Sequence, residues 1–64
     1  MYVIRYKMPT TLLKWTEHTY AESVEVRNGI AFVQTEPAKD FLLCSGFEMV
    51  PNEEIETAQK LFNS

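Results

Sequence analysis

The side chains able to do chemistry in this chain are few and stand apart. His18 is the only histidine and Cys44 the only cysteine. His18 lies in the polar run Thr16-Glu17-His18-Thr19 without a Cys or acid at ligand spacing, so it lacks the partners that a catalytic triad or a metal site requires. Cys44 closes an apolar stretch, where a thiol behaves as a small hydrophobe, and no neighbouring Lys, Arg or His in sequence would favour its thiolate. The acids Glu53, Glu54 and Glu56 form the densest charged group, but they lack the spacing of a calcium loop and read as the solvated start of a helix. The expectation is a non-enzymatic protein, without metal or cofactor, that works by contact.

Contact chemistry has better candidates. Trp and Tyr dominate interface hot spots, and the chain carries Trp15, Tyr20, Tyr2 and Tyr6. A small core needs most of its aromatics inside, which leaves one or two for the surface; Trp15 and Tyr20 are the candidates. A second candidate group lies near the C-terminus, where Ile55, Leu61 and Phe62 supply an apolar stripe and Glu53, Glu54 and Glu56 flank it with negative charge.

The elements that must position these residues are organised around the stretch from Ser23 to Val50, which reads as strand, turn, strand, helix, strand. Asn28-Gly29 between two β-branched runs is a strong hairpin signal. Two registers fit it. A two-residue type I′ loop sets Val26 opposite Ala31 and leaves Ile30 and Phe32 on the face of Glu25 and Arg27. A three-residue loop with Gly29 in a G1 bulge sets Val26 against Ile30 and Val24 against Phe32. The bulged register gives one clean apolar face, so burial of a single face favours it.

A helix of about ten residues follows. Pro37 suits its first position, Thr35 or Glu36 its cap, and Gly46 its stop, with Phe47 folding back on Leu42. Ala38, Phe41, Leu42 and Ser45 share its inner face, and Lys39 and Asp40 point away. Upstream, Tyr2 to Lys7 alternates as a half-buried strand with Tyr2, Ile4 and Tyr6 on one side, ended by Pro9. Thr10 to Ala21 is the least legible segment; its threonines and aromatics favour a strand near Leu12 to Thr16 and a loop into the hairpin. After Pro51, Asn52 caps an amphipathic helix over residues 52–63 with Ile55, Ala58, Leu61 and Phe62 on its apolar face. That face either covers an open side of the sheet or docks on another chain.

The expected fold is therefore a small α+β domain: an antiparallel sheet with a central hairpin, one short packed helix, a short strand and the C-terminal helix. Residues 1–64 make one domain, with a core module over residues 1–50. At this length the fold buries only about 60% of its unfolded surface, which leaves little room for an enclosed active site. One cysteine excludes an internal disulfide framework and fits a reducing compartment. The charges inside MYVIRYKM argue against a signal peptide, and no run approaches the roughly 18 apolar residues of a membrane span. Net charge is −3, with residues 1–35 slightly basic and residues 36–64 holding six of the nine acids. Such a chain is a poor candidate for gripping phosphates, so direct nucleic-acid binding is disfavoured.

The run Val24, Val26, Asn28, Gly29, Ala31, Val33, then Ala38, Leu42 and Leu43, then Gly46, Phe47, Glu48 and Val50 resembles the β-β-α-β modules encoded among tailed-bacteriophage head and head–tail genes. The resemblance covers less than half of the chain. It departs from the plainest pattern at Cys44-Ser45 and in the added segment from Pro51 to Ser64. It implies a virion structural or accessory protein: a capsid decoration, cement or connector subunit on a capsid or neck protein, multi-copy or homo-oligomeric. The alternative is a phage-encoded inhibitor of a host enzyme or defence complex, whose acidic half would occupy a basic nucleic-acid site. Both place the protein in the virion or the host cytoplasm and away from membranes.

Overall fold

The computed structural model describes residues 1–8 and 10–64, so the expected stop at Pro9 lies outside the described residues. The chain builds a five-stranded antiparallel sheet from β1 (Tyr2–Tyr6), β2 (Lys14–His18), β3 (Ser23–Arg27), β4 (Ile30–Val33) and β5 (Phe47–Met49). The strands run in the order β2-β3-β4-β1-β5, which makes β2 and β5 the edges. Helix α1 (Glu36–Leu43) joins β4 to β5, and after a 3-10 turn at Asn52–Glu54 helix α2 (Ile55–Phe62) ends the chain. This is the α+β class that the alternating and helical patterns require.

Each helix covers a different face of the sheet. Under α1, Ala38 and Leu42 pack with Ile4, Val24, Val26, Ala31, Val33 and Phe47, flanked by half-buried Tyr2, Tyr6, Trp15 and Leu43. Under α2, Ala58 packs with Val3, Ile30 and Val50, flanked by Phe32, Ile55 and Phe62. The Phe62 ring meets Phe32 edge to face at 4.7 Å. The C-terminal helix thus packs on its own sheet, and Asn52 begins the 3-10 turn without a side-chain cap.

Two-sided burial also sets the hairpin register. The strands pair Val26 with Ala31 and Arg27 with Ile30, closed by a two-residue loop with Asn28 at φ 53° and Gly29 at φ 81°. The bulged register is therefore wrong. Its premise was a single apolar face, whereas Ile30 and Phe32 have apolar cover from α2 on the face they share with Arg27. A Cβ built on Gly29 meets nothing within 4 Å, so any cost of a side chain there is conformational. Gly29→Val is expected to cost about 1–3 kcal/mol through the left-handed backbone alone. Unchanged thermal melting of that variant would reject the turn.

Other boundaries shift for identifiable reasons. β2 begins at Lys14 rather than Leu12, because its span is set by pairing with β3, from Lys14 opposite Arg27 to His18 opposite Ser23. Thr19 closes that hairpin: its hydroxyl donates to the Glu22 carbonyl at 2.6 Å and accepts the amides of Ala21 and Glu22. α1 is eight residues long, and on its face Ala38 and Leu42 are buried while Phe41 and Ser45 are exposed. Lys39 does not point away; its ammonium lies 5.0 Å from the Tyr2 ring centre and pairs with Asp40 at 3.0 Å. Thr35 precedes the helix but does not cap it with its side chain. Its hydroxyl and amide, with the amide of Gln34, instead donate to the Glu22 carboxylate. Gly46, at φ 98°, ends α1 as expected, and Phe47 joins Leu42 in the core beyond it.

Candidate functional site

The sheet has one long open edge, and the hydrogen bonds of β2 define what it offers. At the two ends of the β2–β3 ladder, the Asn28 amide donates to the Leu13 carbonyl at 2.7 Å and the Thr19 amide to the Glu22 carbonyl at 3.0 Å. In an antiparallel pair, residues alternate between those that bond inward and those that bond outward. Trp15 and Glu17 are therefore turned to β3, and the N–H and C=O groups of Lys14, Thr16 and His18 project from the open side. No bulge interrupts the strand, and no proline lies within it.

Apolar side chains gather around this edge. Leu12 is 59% exposed, Leu13 74% and Tyr20 80%. Leu12 and Leu13, with Met8 and Thr10, border an open depression of about 370 Å³ floored by Tyr6 and Gly29. A second depression, of about 340 Å³, lies between Leu13, Lys14 and Arg27. Tyr20 stands edge to face with the exposed Phe41 of α1, ring centres 6.4 Å apart. Trp15 is half-buried, its ring 5.3 Å from Tyr6 and its indole N–H donating to Glu17 at 3.0 Å.

The eight residues expected to bind a partner do not form one surface. Trp15 and Tyr20 belong to β2 and its turn, with Trp15 packed toward the α1 core. Ile55 and Phe62 are committed to the opposite face beneath α2, and Phe62 also carries the Arg27 guanidinium 5.3 Å from its ring centre. Leu61, 46% exposed, is the part of that stripe left at the surface. Glu54, though exposed, is paired with Arg5, which bridges it at 3.0 Å and also holds Glu48 of β5. Those two carboxylates, Glu48 foremost, raise the Arg5 pKa above its ordinary value. Glu53 and Glu56 remain exposed, with Lys60 3.9 Å from Glu56.

Sequence reasoning placed Leu12 within a strand and passed over Leu13. The signal available was two adjacent leucines in a run that cannot bury both on one face of a strand.

His18 shares a 3.0 Å contact with the Ser23 hydroxyl across the β2–β3 pair, and Cys44 is exposed at the end of α1. Among the described residues no cluster of three or more His, Cys, Asp or Glu is placed to hold a metal ion, and no helix is long and apolar enough to cross a membrane. His18→Ala and Cys44→Ala are each expected to change stability by no more than about 0.5 kcal/mol and to leave partner binding intact. A folded variant of either that fails to bind would reveal a role for that side chain. No protein-family model, curated protein or solved structure matches the chain.

Proposed function

We propose that this protein is a non-enzymatic structural or accessory subunit of a tailed-phage virion, a capsid decoration, cement or head–tail connector protein acting through protein–protein contact. The observation that carries the contact reading is the open β2 edge with Leu12, Leu13 and Tyr20 exposed at its two ends. An unpaired strand offers a row of backbone donors and acceptors, and neighbouring apolar side chains add area and specificity to a partner strand. The virion setting comes from the likeness of residues 23–50 to phage head and head–tail modules. Glu53 and Glu56, both exposed, would steer approach to a basic surface, an effect that salt weakens.

Quantitative mass spectrometry of purified particles tests this reading, which requires many copies per virion. Absence from particles, together with co-purification with a host protein, would replace it with the inhibitor reading. The exposure of Glu53 in the 3-10 turn and of Glu56 and Leu61 on α2 is what favours that second reading.

A further inference from the structure

We infer that the occupant of the open β2 edge is a second copy of this chain, paired strand to strand in antiparallel fashion about a two-fold axis through Thr16. The inference rests on the reading of that edge as a contact site and names what fills it.

The argument is one of self-complementarity. The outward-facing residues Lys14, Thr16 and His18 are arranged symmetrically about Thr16. Centring the two-fold there pairs Thr16 with the partner's Thr16, and Lys14 with the partner's His18 at both ends. Each of these is a pair that exchanges both backbone hydrogen bonds, so every outward N–H and C=O of the strand is used. Sliding the pairing by one residue pair toward either end leaves the groups at the opposite end of both strands unpaired.

The side chains agree with this register. Trp15 falls opposite the partner's Glu17, which offers the indole N–H a carboxylate acceptor equivalent to the one it holds within its own chain at 3.0 Å. Thr16 meets threonine, a favourable cross-strand pair, and no like-charged side chains stand directly opposite. Centring on Glu17 instead would set two carboxylates face to face. The exposed flanks fit as well. Leu12 and Tyr20 each lie four residues from Thr16, so the two-fold brings Leu12 of one copy to Tyr20 of the other at both ends. The result is a ten-stranded sheet whose centre is the β2–β2 pair, an isologous interface of the kind two-fold dimers use.

The test exploits the direction of one N–H. The Thr16 amide points away from β3, so Thr16→Pro deletes no bond of the monomer, and proline is tolerated on an edge strand when its nitrogen faces out. The same change removes two central bonds of the dimer and places a ring in the interface. Sedimentation equilibrium of the full chain should show a concentration-dependent dimer for the native sequence. Self-association of Thr16→Pro should be at least about tenfold weaker, with unchanged circular dichroism. If proline disturbs the strand, a chemically synthesised chain carrying N-methyl-Thr16 makes the same deletion and is held to the same expectation. A native chain that stays monomeric up to about 1 mM, or a dimer that persists undiminished when the Thr16 amide is blocked in a folded chain, overturns the inference. Particle content does not enter this experiment, so a monomer that is abundant in virions would overturn self-pairing and leave the virion reading standing.

Discussion

A chain ending at Pro51 should lose its cooperative thermal transition. Removing the last thirteen residues takes away Ala58, which is 4% exposed, and with it the cover of Val3, Ile30 and Val50. It also removes Phe62 from Phe32 and Glu54 from Arg5. In a domain of this size a single core seldom supplies more than about 3–5 kcal/mol of net stability. Truncating one large aromatic core residue to alanine costs about 3–5 kcal/mol when it is fully buried, so losing half-buried Phe62 together with Ile55 and Ala58 should exceed the margin. The measurement is thermal denaturation followed by near-ultraviolet circular dichroism, with amide dispersion in a proton–nitrogen correlation spectrum as a second probe. A truncated chain that melts cooperatively near the native temperature would mean that α2 is an appendage. Phe62→Ala in the full chain should fall between the two, destabilised yet folded.

That helix also shows where sequence reasoning reached its limit. Its stripe of Ile55, Ala58, Leu61 and Phe62 was legible, because a period of 3.6 residues is a local property. What the stripe covers is not local. The residues that answer it are Val3, Ile30, Phe32 and Val50, which come from three parts of the chain and sit on strand positions that otherwise face outward with Arg5, Arg27 and Glu48. The hairpin register went wrong for the same reason: without knowledge of a second covering helix, Ile30 and Phe32 had to be brought to the side of Val24 and Val26. The turn itself, at Asn28-Gly29, was legible because it depends only on two residues able to hold positive φ.

The candidate site was less accessible still. Which strand is an edge follows from strand order, and strand order places β1 between β4 and β5 through pairings that span much of the chain. Trp15 and Tyr20 stood out by residue type, but the outward direction of the Lys14, Thr16 and His18 backbone emerges only once the β2–β3 register is known.

Substituting Glu22 should reveal a cap supplied from a distance. Its carboxylate accepts the Thr35 amide at 2.8 Å, the Thr35 hydroxyl at 2.7 Å and the Gln34 amide at 3.1 Å. One acid at the β2–β3 turn thus satisfies the backbone at the entrance to α1, where Thr35 provides no side-chain cap of its own. The same bonds hold the Glu22 pKa below the ordinary 4.5, the Thr35 hydroxyl contributing most, with partial burial working in the opposite sense. The sign of the pH effect follows from linkage. Because the folded carboxyl binds its proton less readily than the unfolded one, its contribution is fully present above about pH 4.5 and disappears as pH falls through the lower folded value. Glu22→Gln keeps the shape and one acceptor oxygen but removes the charge, and should lower the melting temperature at pH 7. Glu22→Ala, which also strands the two amides and the hydroxyl, should lower it further. The measurement is the difference in melting temperature between native and Glu22→Gln at each pH. That difference should hold constant from pH 7 to about pH 5 and shrink only below the ordinary carboxylate range, as melts are carried down to about pH 3. A deficit of the same size at both ends of that range would show that shape, rather than charge, is what Glu22 contributes to the junction of β4 and α1.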